Sequence, residues 1–139
     1  MSNNLYVPEE VELKTLLDVV RELSWAAADV LMAYARGEEP PYGFSRSLTV
    51  EEGGDGPVSA ADMAVNKILL SGLKDNLTYQ EWDILSEETS KEKTFQSSNY
   101  KKDWCWILDP LDGTKDFLQG SENYAVHIAL AYKQKPKIG

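Results

Sequence analysis

The residues best suited to catalysis or metal binding lie in the segment 106–117, Trp-Ile-Leu-Asp-Pro-Leu-Asp-Gly-Thr-Lys-Asp-Phe. An apolar run over 104–108 predicts a strand that places Asp109 at its end. Pro110 has no N–H to donate, so strand pairing is expected to stop there. Asp112 follows three residues after Asp109. Two carboxylates at one strand end are ligands suited to hard divalent cations.

The two residues after Asp112 add a second function to this segment. Gly113 lets a ligand approach the backbone closely, and Thr114 opens a predicted short helix. The N–H groups at a helix start are suited to binding a phosphate. A metal cluster beside a phosphate site predicts metal-assisted hydrolysis of a phosphate ester.

Two further acidic elements fall at predicted element boundaries, and each has a structural alternative. Asp62 fits an S-x-x-D capping box with Ser59 at a helix start, and this structural role would explain the residue without a catalytic one. Glu87 and Glu88 end a short predicted strand and could form a solvated turn. The Asp109–Asp112 pair could likewise only begin a turn, where Asp is common.

The same residues argue against several other kinds of site. Asp109-x-x-Asp112 lacks the alternating acids of an EF-hand, and no Gly-Lys-Ser/Thr ends a P-loop. His127 is the only histidine and is predicted in mid-strand among alanines, which disfavours a Ser-His-Asp triad. Zinc is disfavoured because Cys and His ligands are scarce. Oxygen ligands alone favour Mg²⁺, with Mn²⁺ as the alternative.

Composition narrows the class of protein. The 139 residues suffice for one domain, and a formal net charge of −9 argues against DNA or RNA as a partner. The single cysteine, Cys105, excludes an internal disulfide and is predicted to be a buried thiol. No apolar run approaches the roughly 18 residues of a membrane span, and no signal-peptide pattern opens the chain. We therefore expect a cytoplasmic protein without membrane contact.

A long amphipathic helix is predicted over 8–36, with Pro8 at its first turn and Gly37 at its exit. Its apolar positions recur at steps of three and four, and we expect them to be buried. They are Leu13, Leu16, Leu17, Val20, Leu23, Ala27, Val30, Leu31 and Tyr34. A glycine- and proline-rich stretch follows, predicted as a loop or loose hairpin around 45–50.

The rest of the chain predicts a second helix over 60–72, then strands over 82–86, 104–109 and 124–132, and a further strand after Pro136. The polar stretch 91–102 is predicted as a loop. This order indicates a layered α/β (α+β) fold, with helices packed on a mostly antiparallel sheet.

Three segments together resemble the metal-binding signature of the inositol monophosphatase superfamily, which comprises lithium-sensitive, Mg²⁺-dependent phosphatases. They are, in chain order, 57–62 (Pro-Val-Ser-Ala-Ala-Asp), 85–88 (Leu-Ser-Glu-Glu) and 106–117. The resemblance covers about residues 8–139. It implies the αβαβα sandwich of that superfamily, of which this chain would be the N-terminal part.

The resemblance also implies a metal site. Glu87, Asp109 and the Leu111 carbonyl would hold a first ion, and Asp109 would share a second ion with Asp112. Two such ions lie about 4 Å apart and stabilise the attacking and leaving oxygens. Glu88 would bind a more loosely held cation, or it would contact one of the metal-binding residues without binding the metal itself.

Catalytic and phosphate-binding roles follow from the same resemblance. Thr114, hydrogen-bonded to Asp62, would orient the attacking water and accept its proton, while the first ion lowers the pKa of that water. With Glu87 these residues form the implied catalytic set. The N–H groups of Gly113 and Thr114 would bind phosphate oxygens.

Within the superfamily, residues 109–117 are most similar to the 3′(2′),5′-bisphosphate nucleotidases, because of Lys115, although Asp116 replaces a more usual Glu. The implied reaction removes the 3′-phosphate of adenosine 3′,5′-bisphosphate. Inositol monophosphate and sugar phosphates such as fructose 1,6-bisphosphate remain alternative substrates.

Family members are longer, and their C-terminal half supplies a further Asp ligand. We therefore expect residues 1–139 to be a metal- and phosphate-binding portion that lacks this half. An inactive remnant with a non-catalytic role is a further alternative. The last strands would then expose an unpaired sheet edge, which is compatible with a homodimer.

Overall fold

The computed structural model describes residues 13–45, 50–53, 56–76, 82–87 and 102–139. Within these ranges the chain forms three helices and six strands. They are, in order, α1 (Leu13–Arg36), β1 (Val50–Gly53), β2 (Gly56–Ser59), α2 (Ala60–Asn76), β3 (Asp83–Ser86), β4 (Trp104–Asp112), α3 (Thr114–Leu118), β5 (Ala125–Tyr132) and β6 (Lys135–Ile138).

Helix α1 confirms the predicted amphipathic helix over its described part and ends at Arg36. Gly37 has a φ of 69°, the left-handed conformation in which glycine is favoured after a helix. The predicted start, from Pro8 onward, lies outside the described residues. One predicted core position is wrong: Leu17 is 38% exposed, and Val19 is buried instead. The buried face is centred on Leu16, so its neighbour Leu17, about 100° further round the helix, lies at the rim.

Helix α2 extends four residues beyond its predicted end at Gly72 and finishes at Asn76. Gly72 does not end the helix, because it serves the packing of α2 on α1. A Cβ built at Gly72 would lie 2.1 Å from Leu23 Cδ2. The missing side chain therefore lets the two helices approach closely.

The glycine-rich stretch forms a hairpin from residues 50–53 and 56–59, whereas most of the loop or hairpin predicted around 45–50 lies outside the described residues. Strands β1 and β2 pair antiparallel, with Val50 opposite Ser59 and Gly53 opposite Gly56. Strand β2 leads directly into α2 at Ala60, which places the start of that helix.

The main sheet has the strand order β3-β4-β5-β6. Strands β3 and β4 are parallel, whereas β4–β5 and β5–β6 are antiparallel. The expectation of helices on a mostly antiparallel sheet is confirmed. The strands predicted over 82–86, 104–109 and 124–132 begin within one residue of their expected starts, whereas β6 begins at Lys135, before the start predicted after Pro136. The loop predicted over 91–102 lies almost wholly outside the described residues.

Strand β4 does not stop before Pro110 as predicted. It runs to Asp112, which pairs with Ala125, while the register against β5 shifts between Asp109 and Asp112. Pro110 is buried within this irregularity. A bulge leaves one residue without a ladder partner, so it accommodates a proline that has no N–H to donate.

The core lies between the two long helices and one face of the sheet. Its most deeply buried apolar side chains come from α1, α2, β4 and β5. They include Leu16, Val30, Val65, Leu69, Leu108 and Leu130. Cys105 is buried as predicted, and burial raises the pKa of its thiol to about 11. Over the described part of the chain, no helix combines the length and apolar character that crossing a bilayer requires.

Candidate functional site

The parallel pairing of β3 and β4 brings two predicted ligands side by side. Ser86 pairs with Leu108. The residues that follow them, Glu87 and Asp109, therefore lie side by side at the same end of the sheet. The Glu87 carboxylate approaches Asp109 closely enough to act on it through both a hydrogen bond and its charge. Sequence order alone could not show this pairing, because twenty-two positions separate the two acids. The predicted neighbour Glu88 lies outside the described residues.

Asp109 is an unusual carboxyl group in this arrangement. Its pKa is raised from 3.8 to about 7, first because burial disfavours the charged form, then because of Glu87 and the charge of Asp112. Its Oδ1 is buried and has no hydrogen-bond partner in the described structure. A buried, unpartnered carboxylate oxygen next to a second acid is destabilising unless a proton or a cation joins the two. The pair therefore fits a cation.

A second pair joins the starts of helices α2 and α3. Asp62, in the first turn of α2, is fully buried, and the Thr114 hydroxyl lies 3.0 Å from its Oδ1. The same hydroxyl lies 3.3 Å from the Leu111 carbonyl oxygen. A hydroxyl has one proton to donate, and the closer acceptor, Asp62 Oδ1, is favoured. With Asp62 as acceptor, the lone pairs of Thr114 remain available to a water. The capping contact predicted between Ser59 and Asp62 remains untested, since the Ser59 side chain is outside the described structure.

The turn between these elements depends on Gly113. Its φ of 90° and ψ of 39° are left-handed, and the Phe117 N–H donates to its carbonyl at 2.9 Å, in the first turn of α3. A Cβ built at Gly113 would lie 2.5 Å from the Asn123 carbonyl oxygen. Both the conformation and the packing therefore require glycine.

Asp112 lies at the outer side of this region. Its carboxylate is 63% exposed and its Oδ2 is 3.3 Å from His127 Nε2. Its charge acts on Asp109, but its side chain is directed to His127. Over the described ranges, no three acidic, His or Cys side chains are placed to hold one ion as they stand. The metal site predicted from Glu87, Asp109, Asp112 and the Leu111 carbonyl therefore remains a prediction, and the described structure brings Glu87 and Asp109 into contact.

The profile of the inositol monophosphatase family matches residues 12–139. The chain belongs to this family. The resemblance carried by residues 106–117 is therefore confirmed.

Two relatives are identical to this family member at about a third of the aligned positions. The 3′(2′),5′-bisphosphate nucleotidase CysQ of Salmonella typhimurium (strain LT2) is 33% identical over 126 residues, which are 89% of this chain and 46% of that protein. The bifunctional phosphatase IMPL2, chloroplastic, of Arabidopsis thaliana is 33% identical over 116 residues, covering 83% and 32% of the two chains. The chain thus spans about half the length, or less, of these relatives.

A solved structure of the family agrees with the architecture. The extragenic suppressor protein suhB from Bartonella henselae superimposes with a TM-score of 0.64 at 26% identity, over 87% of this chain and 42% of that one. This confirms the predicted fold class, an inositol-monophosphatase-type α/β fold. The superposed portion is less than half of the other chain.

Three polar residues near the site were missed or set aside in the sequence. His127, set aside as a mid-strand residue, is exposed and contacts Asp112. Asn66 and Ser86 are buried and hydrogen-bonded to each other between α2 and β3. A usable signal existed for Asn66, because it lies four residues after Asp62 and therefore on the same helix face.

Proposed function

We propose that the full-length protein is a metal-dependent phosphomonoester hydrolase that removes the 3′-phosphate of adenosine 3′,5′-bisphosphate. The observation that carries this proposal is the Thr114 hydroxyl held 3.0 Å from the buried Asp62, at the end of the strand that contributes Asp109. Family membership supports the same reaction class. Since the chain covers about half of its relatives, the proposal concerns the whole protein, with residues 1–139 as its metal- and phosphate-binding part.

The residues proposed to hold a divalent metal are Glu87, Asp109, Asp112 and the carbonyl of Leu111. They offer oxygen atoms only, which favours Mg²⁺ and admits Mn²⁺. The buried, unpartnered Oδ1 of Asp109 supports this assignment, because a cation would satisfy it. When bound, such an ion lowers the pKa of a water ligand and offsets charge on the phosphate.

The remaining residues act on the water and the substrate. Thr114 donates its proton to Asp62, accepts a hydrogen bond from the attacking water and takes up its proton, while Asp62 fixes the direction of the hydroxyl. The N–H groups of Gly113 and Thr114 bind the phosphate oxygens. The water oxygen forms a bond to phosphorus in line with the ester oxygen, whose bond to phosphorus breaks. The departing oxygen takes a proton from a solvent water and leaves as an alcohol, and the proton taken from the attacking water returns from Asp62 to solvent. No phospho-enzyme forms.

The choice of a nucleotide substrate rests on Lys115 and on the nucleotidase relatives. Lys115 is exposed in the first turn of α3, next to the proposed phosphate contacts, where its charge would attract the second phosphate of a bisphosphate. Inositol monophosphate and fructose 1,6-bisphosphate are the second candidates, and membership of the inositol monophosphatase family supports the first of them. A cytoplasmic location and inhibition by lithium belong to the same proposal.

Substrate choice is tested by phosphate release from adenosine 3′,5′-bisphosphate, inositol 1-phosphate and fructose 1,6-bisphosphate, each with Mg²⁺. We expect the nucleotide to have the highest kcat/KM. Lys115→Gln should lower that value for the bisphosphates more than for inositol 1-phosphate. Lys137→Gln, an exposed change on β6, is the matched control. Preference for inositol 1-phosphate would move the assignment to the sister activity.

The reaction class is tested with Asp112→Asn in the full-length protein. We expect Mg²⁺-dependent phosphate release to fall by at least about a hundredfold, since one charged ligand becomes neutral. Asp103→Asn, an exposed change before β4, should leave the rate unaltered. Near-normal activity of the Asp112 variant would overturn the metal assignment. A wild-type protein without phosphatase activity towards any of the three substrates would favour the non-catalytic alternative.

A further inference from the structure

A buried polar pair connects helix α2 to the end of strand β3. The Ser86 hydroxyl donates a hydrogen bond to the Asn66 side-chain oxygen. Asn66 is 6% exposed and Ser86 is 2% exposed. Apart from Asp62 and Asn66, the buried side chains described for α2 are those of Ala, Val and Leu, so this bond is a directional contact in a mostly apolar interface.

The pair lies one helical turn from one proposed site residue and next to another. Asn66 follows Asp62 by four positions, so the two side chains leave the same face of α2. Ser86 immediately precedes Glu87. One face of α2 thus contacts the start of α3, through Asp62 and Thr114, and the end of β3, through Asn66 and Ser86.

The end of β3 is held by the described sheet from one side only. Strand β3 has four residues and is an outer strand of that sheet, paired on β4. Glu87 lies just beyond this strand, where the register of β3 on β4 places it beside Asp109. A directional bond at the preceding residue, Ser86, restrains the position of Glu87 relative to Asp109.

We propose that Asn66 and Ser86 are positioning residues that hold Glu87 against Asp109. The inference rests on the proposed function, in which Glu87 and Asp109 bind one metal ion. Both residues act through Glu87 and contact neither the substrate nor the ion. An apolar pair of equal size would fill the same space, but it would not fix the direction of the strand end.

The test measures Mg²⁺ affinity by calorimetry in the full-length protein, together with the midpoint of urea unfolding. Ser86→Ala removes the donor, Asn66→Ala removes the acceptor, and Ser86→Thr keeps the hydroxyl. We expect each Ala variant to raise the Kd for Mg²⁺ by about 10–100-fold, the usual effect of losing a residue that orients a ligand. Ser86→Thr should restore affinity to within about threefold of the wild type.

Val65→Ala is the matched control, because Val65 is a buried neighbour of Asn66 on α2. It should lower the urea midpoint and leave the Kd unchanged, which separates positioning from simple loss of stability. In the metal-free protein, the Glu87 amide should exchange its hydrogen at least about tenfold faster in Ser86→Ala than in Val65→Ala. Equal Kd values for Ser86→Ala and the wild type would overturn the inference, as would an equal rise in Val65→Ala. If Ser86→Ala does not fold, Asn66→Ala decides by the same criteria.

Asp109→Asn separates this inference from the proposed function. If Asp109→Asn abolishes Mg²⁺ binding while both Ala variants bind like the wild type, only the positioning role fails. If Asp109→Asn itself binds Mg²⁺ with wild-type affinity, the metal assignment fails and the positioning role with it.

Discussion

The Thr114 hydroxyl lies 3.0 Å from Asp62 Oδ1, although 52 positions of sequence separate the two residues. One belongs to the first turn of α2 and the other to the first turn of α3. Because Asp62 is fully buried, its carboxylate depends on partners of this kind for its stability. The contact therefore joins the folding of two helices to the chemistry proposed for the hydroxyl.

Replacing Thr114 by valine removes this hydroxyl without changing the shape of the side chain. We expect Thr114→Val to reduce kcat for Mg²⁺-dependent phosphate release by at least about a hundredfold, an ordinary contribution of acid–base catalysis. Stability should fall by about 1–3 kcal/mol, because a buried carboxylate loses a donor. Thr114→Ser keeps the hydroxyl and should retain most of both. A valine variant as active as the serine variant would contradict the role of Thr114.

Because Asp109 lies beside Glu87, we expect Asp109 to lower the stability of the metal-free protein while it contributes to metal binding. In Asp109→Asn a buried charge next to Glu87 is lost, so at pH 8 the metal-free variant should be more stable by on the order of 2 kcal/mol. Urea unfolding with a chelator present measures this difference. Mg²⁺ should stabilise the wild type and not the variant. A variant that is less stable than the wild type without metal would show that Asp109 is not under repulsion.

The raised pKa of Asp109 also predicts how the stability of the metal-free protein depends on pH. The carboxyl binds its proton more tightly in the folded state, with a pKa of about 7, than in the unfolded state, near 3.8. The folded state therefore holds the extra proton between these values, and stability falls as pH rises from about 4 to about 7.

The difference in unfolding free energy between Asp109→Asn and the wild type isolates this pH effect from other carboxyl groups. It should grow by about 1–4 kcal/mol from pH 4 to pH 8 and level off above pH 8. Glu87→Gln should reduce the same slope, since Glu87 is the neighbour that raises the pKa. A difference that is constant with pH would refute the pairing.

Two glycines with left-handed backbones, Gly113 and Gly120, allow the cost of backbone strain to be measured separately from the cost of a steric clash. Gly113 has a φ of 90° and faces the Asn123 carbonyl oxygen, whereas Gly120 has a φ of 80° and open space around it. Gly120→Ala should cost only the left-handed strain of about 1–2 kcal/mol. Gly113→Ala adds a backbone clash and should cost at least about 2 kcal/mol more. Equal urea midpoints for the two variants would show that the turn at Gly113 yields easily.

The sequence by itself was sufficient to locate most helices and strands and to identify the family. Apolar spacing located α1 and α2, alternation located β5, and residues 106–117 carried a specific signature. These features are local, since each depends on neighbours within one or two turns of the chain. The predicted ends of helices and strands were wrong where one residue type can play either of two structural roles. Gly72 permits close helix packing instead of ending α2, and Pro110 occupies a bulge instead of ending β4.

Only the tertiary structure decided which polar groups meet. The parallel register of β3 on β4 brings Glu87 to Asp109, and the packing of α2 under the same sheet edge brings Asn66 to Ser86. It also placed His127, which the sequence had set aside, beside Asp112. The physical reason is that a contact between distant residues follows from strand register and helix packing. These are determined by the whole core rather than by the residues that touch.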